Sequence, residues 1–228
     1  MFPKIAGTLV SGIDHPNRIA LVVYLPYCNY RCLWCHNYEL VLGRFKEVPL
    51  KDLRWELENN LFVDMVVITG GEPTIYGDGL IELIKFVKEV RADLPVRVDT
   101  NGSRPDVMRD IVDLVDGFAV DVKAPPQKKE LYSRIIGRKF DREAFMESVR
   151  IACDLSLTLF RTVRYPILTD EDFSLIRKFL NDICPDKPYY INEFVFVNLP
   201  SDWRAEASAY LPEDFQDHAF YPEGFEKG

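Results

Sequence analysis

Cys28, Cys32 and Cys35 fall within eight residues, in the run Cys28-Asn29-Tyr30-Arg31-Cys32-Leu33-Trp34-Cys35-His36-Asn37. The spacing is C-x3-C-x2-C. Three thiolates on one short loop can converge on a single soft metal centre. A four-iron cluster needs four ligands, so three cysteines would leave one iron open to a small molecule. Two other readings compete. The cysteines could be small buried residues without a ligand, but the polar Asn29-Tyr30-Arg31 between them is out of place in a plain core. They could bind zinc, with His36 as a fourth ligand. His36 adjoins Cys35, however, and adjacent side chains chelate one ion poorly. No second Cys or His pair stands elsewhere at finger spacing. The pattern favours the cluster.

Further along, polar residues recur where apolar runs end. Thr69-Gly70-Gly71-Glu72-Pro73-Thr74 follows the run from Met65. Its two glycines let a backbone approach a ligand closely, and Glu72 could accept hydrogen bonds from an ammonium group. Asp99-Thr100-Asn101-Gly102 alone reads as an Asn-Gly turn with Asp99 as a local cap. Its position at the next strand end favours a site role. In Ala119-Val120-Asp121-Val122-Lys123, strand alternation points Asp121 and Lys123 to one side; alone, they would be a solvated ion pair. Phe160-Arg161-Thr162-Val163-Arg164-Tyr165-Pro166 carries two arginines. Arg164 either faces inward as a substrate contact or forms a surface ion pair. Asn192 and Glu193 carry no assigned role. Cys153 and Cys184 read as small buried residues, His15 as structural and His218 as a surface residue.

These residues need a frame. Strands are expected at Ile19–Tyr24, Met65–Thr69, Val96–Asp99, Gly117–Asp121, Thr158–Tyr165 and Tyr189–Val197. Helical patterns cover Leu50–Asn60, Gly79–Arg91, Pro105–Leu114, Glu143–Leu155 and Glu171–Cys184, the last with Asp170 as its expected N-cap. Strand alternating with helix predicts an α/β fold with a parallel sheet and helices outside it. A curved open barrel and a doubly wound sheet both fit, and both place ligands at the C-terminal strand ends. The 228 residues, 47% hydrophobic, suit a single domain, with a tail over 198–228 that covers an edge or the surface. Five cysteines, an odd number, argue against a disulfide framework. The net charge of −8, with bases and acids interleaved as in Lys85-Phe86-Val87-Lys88-Glu89, argues against nucleic acid as a main partner. No run of eighteen apolar residues and no signal-type N-terminus is visible, so a cytoplasmic protein without a membrane span is expected.

The cysteine loop, with Trp34 just before its third cysteine, resembles the signature of the radical S-adenosylmethionine (SAM) superfamily. Together with Gly12-Ile13-Asp14-His15-Pro16, it is similar to glycyl-radical-enzyme activating enzymes, of the anaerobic ribonucleotide reductase and pyruvate formate-lyase types. The resemblance runs from about Gly12 to Val197 and implies a radical SAM core, a partial (β/α)6 TIM-like open barrel. It implies a 4Fe-4S cluster on Cys28, Cys32 and Cys35, with SAM chelating the open iron through its amino and carboxylate groups. Reductive cleavage then yields methionine and a 5′-deoxyadenosyl radical, which abstracts hydrogen from a glycine of a partner enzyme. The resemblance places Trp34 near the adenine, Gly70, Gly71 and Glu72 at the amino group, and Asp121 and Lys123 near SAM, with Lys123 by its carboxylate. Arg161 falls at the ribose or carboxylate, and Asp99 and Asn101 in the same pocket. It further suggests a monovalent cation on Asp99, Thr100, the Ala119 backbone and Asp121. Arg164 departs from the family pattern, which is apolar there. The implied partners are a glycyl-radical enzyme and a flavodoxin or ferredoxin-type electron donor. Two alternatives stay open: a radical SAM enzyme acting on a small molecule in cofactor or modified-base biosynthesis, and a non-catalytic zinc-binding module. The second would have no use for the Gly70–Glu72 and Asp121–Lys123 motifs.

Overall fold

The computed structural model describes residues 1–208, with side chains to residue 204. One sheet holds seven strands in sequence order: β1 (Gly7–Ser11), β2 (Ala20–Leu25), β3 (Met65–Gly70), β4 (Val96–Thr100), β5 (Gly117–Asp121), β6 (Leu159–Val163) and β7 (Tyr189–Asn192). From β2 to β7 every neighbouring pair is parallel, while β1 runs antiparallel to β2 with Gly7 opposite Tyr24 and Ser11 opposite Ala20. The helices are α1 (Tyr38–Val41), α2 (Leu50–Asn59), α3 (Asp78–Val90), α4 (Pro105–Ile111), α5 (Lys129–Ile136), α6 (Arg142–Cys153), α7 (Asp170–Ile183) and α8 (Ser201–Ser208).

A strand order that never reverses has no switch point, which rules out the doubly wound sheet. Right-handed crossovers then put every helix on the same face. The sheet curls inside its helices as an open barrel whose two edges, β1 and β7, have no further strand beside them among the described residues. Alternate strand residues serve the two sides. Leu21, Val23, Leu25, Val66, Ile68, Val98, Phe118, Val120 and Phe160 pack outward into the main core with the helices. Ala20, Val22, Met65 and Val67 form a second, smaller cluster inside the barrel. On β4 to β6 the inward positions include the charged Arg97, Asp99, Asp121 and Arg161.

Several boundaries differ from the sequence-based expectation. β1 lies outside the expected strands because it is short and half-exposed, without a buried alternating face. β7 stops at Asn192 rather than Val197, where the chain leaves the sheet. α5 escapes notice because Lys129, Glu130 and Arg134 interrupt the apolar pattern, although Tyr132, Ile135 and Ile136 bury at helical spacing. α8 falls in the stretch expected to be tail. Asp170 is not the cap of α7. Thr169 is, accepting from the Asp172 amide at 3.3 Å while Asp172 accepts from the Thr169 amide at 2.9 Å, a reciprocal capping box. His218 and the tail residues Pro212, Pro222 and Gly224 lie outside the described residues. No helix among those described is long and apolar enough to cross a membrane.

Cys153 and Cys184 are joined in a disulfide, which corrects their reading as unpaired core residues. The C-terminal ends of α6 and α7 bring their Cα atoms to 5.5 Å. Closing a loop of 31 residues restricts the unfolded chain by about 3–4 kcal/mol on the entropy model. The C153S/C184S double variant is expected to melt several degrees lower than the oxidised parent and to match the reduced parent. Thermal melts with and without reductant check this.

Candidate functional site

Past β2 the chain turns at Tyr27, whose φ of +61° lies in the left-handed region that non-glycine residues seldom adopt. The turn is held by Tyr27 N–H to the Leu40 carbonyl at 3.1 Å and by Glu72 N–H to the Tyr27 carbonyl at 2.9 Å. The cysteine loop then lies along the end of α5, donating from Arg31 N–H to the Ile136 carbonyl (2.8 Å) and from Leu33 N–H to Ile135 (3.1 Å). Asn29 donates to Ser103 Oγ at 2.7 Å and accepts from Asn101 at 2.9 Å. Asn37 donates to the Gly70 carbonyl at 3.0 Å. The three thiols are free and half-buried. Burial, the largest cause, pushes each up to about 12; for Cys28 the nearby Glu72 carboxylate adds to it, while for Cys32 the Lys123 ammonium works against it. Such thiols stay protonated at neutral pH unless a cationic centre draws them into the thiolate form.

Gly70 and Gly71 serve the chain itself. Gly70 has φ +120°, and a Cβ there would strike the Leu25 backbone. A Cβ on Gly71 would run into the Tyr27 carbonyl. Their lack of side chains thus lets β3 and the cysteine loop touch, a nearer cause than the expected approach of a ligand. Glu72 is buried. Its Oε1 accepts from Thr74 N–H (3.1 Å), Thr74 Oγ1 (2.6 Å) and Thr100 Oγ1 (2.7 Å), and its Oε2 from Asn101 N–H (2.6 Å). Burial raises its carboxyl above the ordinary range, against these hydrogen bonds. The side chain ties the ends of β3 and β4 together, with acceptor capacity left on Oε2.

Inside the barrel, charges alternate. Arg97 Nε donates to Asp99 Oδ1 at 2.8 Å, Arg161 Nη1 to Asp99 Oδ2 at 2.9 Å, Arg161 Nε to Asp121 Oδ1 at 3.1 Å, and Lys123 Nζ to Asp121 Oδ2 at 2.8 Å. Burial alone would raise the Asp121 carboxyl, but Lys123 and Arg161 outweigh it and hold it at about 2. Lys123 and Arg161 are raised in turn, because the carboxylates outweigh the burial that would lower them. The expected monovalent cation finds no support in this arrangement. The guanidinium of Arg161 already lies between Asp99 and Asp121 and answers their repulsion. Thr100 turns its hydroxyl to Glu72 instead, and the Ala119 backbone is engaged in the sheet between β4 and β6.

One cavity of about 420 Å³ lies at the C-terminal strand ends. It brings together Cys28, Cys32, Cys35, Trp34, Gly70, Gly71, Glu72, Asp99, Thr100, Asn101, Asp121, Lys123 and Arg161, and adds Asn192 and Glu193. Trp34 is buried, with its ring 4.8 Å from that of Tyr165 and Lys123 Nζ 6.0 Å from its centroid. Arg164 stays out: it pairs with Asp170 at 3.6 Å and lies over Phe173, as the surface alternative had it. Sequence reasoning missed Asp14, Tyr24 and Asn37, which also line the cavity. It missed Arg97 too, a fully buried cation whose Nη1 reaches the Asp14 carbonyl at 2.8 Å. A charged residue inside Val96-Arg97-Val98 was the available signal.

The donor set fits the cluster better than zinc. His36 gives its Nε2 to the Val195 carbonyl at 2.9 Å. Among the described residues, no three His, Cys, Asp or Glu side chains form a group able to hold a single metal ion. Cys28, Cys32 and Cys35 all border the cavity and would hold a multi-iron cluster there.

Known proteins point the same way. The chain is 31% identical over 208 residues, 85% of its length and 84% of the other, to a Methanocaldococcus jannaschii protein named "Putative glycyl-radical enzyme activating enzyme". It is 32% identical over 99 residues, 42% of each chain, to a 7-carboxy-7-deazaguanine synthase of Koribacter versatilis. Its fold matches the crystal structure of methylornithine synthase with a TM-score of 0.62 at 16% identity, covering 77% of this chain and 53% of that one. This chain therefore spans about half the length of that solved structure. The family model described as the radical SAM superfamily matches residues 22–180, from β2 through most of α7. With that span taking in the cysteine loop and every strand end that borders the cavity except the last, the chain belongs to the radical SAM superfamily, whose membership implies a 4Fe-4S cluster and SAM.

Proposed function

We propose that this chain is a glycyl-radical-enzyme activating enzyme. In this reading Cys28, Cys32 and Cys35 hold the cluster, SAM binds beside it, and a backbone glycine of a partner enzyme is the hydrogen donor. The observation that carries it is one cavity bordered both by the three thiols and by the polar ends of β3 to β7. When bound, the cluster and SAM supply reductive cleavage to a 5′-deoxyadenosyl radical, with the electron coming from a flavodoxin or ferredoxin-type donor. The chain's own residues bind and orient. Glu72 Oε2 faces the ammonium group of SAM, with Gly70 and Gly71 beside it. Lys123 and Arg161 offer their cations to its carboxylate or ribose. Trp34 borders the adenine, and Asp99, Asn101 and Asp121 hold these groups in place.

The protein partner is supported by the M. jannaschii relative, which this chain matches over most of both lengths. Action on a small molecule is the second reading, favoured by the partial match to the deazaguanine synthase. Anaerobic reconstitution with iron and sulfide, then SAM and a strong reductant, should yield 5′-deoxyadenosine. Adding a glycyl-radical enzyme from the same genome should produce a glycyl radical signal in electron paramagnetic resonance. Cleavage of SAM without that signal on any candidate would sink the activating role and leave the small-molecule reading.

A further inference from the structure

The chain beyond β7 does not hang free of the site. It crosses the outside of the cysteine loop. The His36 ring bonds the Val195 carbonyl, and Phe194 packs its ring 5.2 Å from that of Tyr165, whose ring packs tilted against Trp34. Leu199 is buried, and Asp202 meets Arg44 at 3.2 Å. This path delivers Trp203, on the first turn of α8, to the loop.

Trp203 is fully buried although its neighbours Ser201 and Asp202 are exposed. Its indole Nε1 donates to the Cys32 carbonyl at 3.2 Å, the same oxygen that accepts the Cys35 amide at 3.3 Å and so closes the Cys32–Cys35 turn. The Arg31 guanidinium lies 5.3 Å from its ring centroid, within cation–π range. That guanidinium donates through Nη1 to the carbonyls of Cys28 and Tyr30, each at 2.9 Å. The Tyr38 ring meets the indole edge-on at 6.4 Å. One side chain therefore fixes the Cys32 carbonyl directly and, through Arg31, the carbonyls of Cys28 and Tyr30. A half-buried loop without regular structure needs partners for such groups. The orientation of its backbone decides where its sulfurs point.

We propose that Trp203 is a positioning residue for the metal-binding loop, holding Cys28, Cys32 and Cys35 in ligand-ready geometry before any iron arrives. It does not touch the cluster or SAM. It keeps the loop closed on its outer side, so its loss opens the cysteines to solvent. The inference rests on the loop being the ligand loop, as in the function proposed above, and does not depend on the identity of the hydrogen donor.

The test uses the full-length chain without iron, kept anaerobic, with peptide-resolved alkylation by iodoacetamide and hydrogen exchange. In Trp203→Ala, Cys28, Cys32 and Cys35 should alkylate at least tenfold faster than in the parent, and exchange should rise in residues 28–37 while β3 and β4 keep their protection. Trp203→Phe keeps a ring for Arg31 but loses the N–H donor, so it should fall between, at a few-fold. Once reconstituted, both variants should lose cluster absorbance in air faster than the parent, in the same rank order. Trp55→Ala, at an exposed tryptophan of α2, should change none of these. Alkylation within twofold of the parent in a folded Trp203→Ala overturns the proposal. So does exchange that rises uniformly across the chain, which would mean a merely structural role. If Trp203→Ala does not fold, Trp203→Phe decides alone, and parent-like alkylation in it rejects the idea.

Discussion

Cys32→Ala is expected to lose its iron and all 5′-deoxyadenosine formation while remaining folded. Removing a sulfur costs the fold little, since the residue is half-buried and its backbone carbonyl keeps both donors, the Cys35 amide and the Trp203 indole. The loss to the metal is far larger. Changes to groups that only support a ligand typically cost about 10–100-fold in metal affinity. Here one of the three proposed ligands disappears, and among the described residues no neighbour is free to replace it. His36 is tied to Val195, and Cys153 and Cys184 are joined to each other. Iron and sulfide content after anaerobic reconstitution, the cluster absorbance and 5′-deoxyadenosine yield should fall together, with the melting temperature almost unchanged. A variant that keeps full iron content would remove Cys32 from the ligand set.

The second large effect is expected at Arg161, and first in stability. Its guanidinium is the shared partner of Asp99 and Asp121. Arg161→Leu removes the charge but keeps the volume, so Asp99 retains only Arg97 and Asp121 only Lys123. Leaving a buried charge with no partner costs about 3 kcal/mol. Here each carboxylate keeps one cation and Asp121 is partly exposed, so the loss should be smaller, about 1–2 kcal/mol. Arg161→Lys should recover part of this loss, since one ammonium cannot make the two-sided bridge of a planar guanidinium. SAM binding should weaken in both variants.

The pH dependence carries a sign. Asp121 is held at about 2 in the fold, against about 3.9 in an unfolded chain. Its contribution is therefore present in full above about pH 4 and is lost as pH falls toward 2. The gap between the parent and Arg161→Leu should be widest near pH 7 and shrink below pH 4. Urea titrations at the two pH values measure it. A constant gap would mean that Arg161 acts through packing alone.

The parts of this protein that were legible in its sequence share one property: they are local. The C-x3-C-x2-C spacing, the glycines before Glu72 and the Asp121–Lys123 alternation each fit within about ten residues, and a resemblance could be attached to them. Strands β2 and β3 announced themselves as continuous apolar runs, while β4 and β6 showed through the apolar and β-branched residues around Arg97 and Arg161. The cap of α7 was misjudged by a single residue because Thr169 and Asp170 are both good caps, and only the position of Asp172 selects between them.

What the tertiary structure decided is pairing across distance. Arg161 stands 62 residues from Asp99 and 40 from Asp121, and only the curl of β4, β5 and β6 puts a guanidinium where the sequence suggested a metal ion. Cys153 and Cys184 meet because α6 and α7 end side by side. Trp203 lies 171 residues from Cys32 and carries no motif of its own. A residue type and its periodicity state what chemistry a side chain can do and which face it takes. Which charge neutralises which, and which aromatic closes the cysteine loop, depends on strand order and crossover geometry, and those are properties of the whole chain.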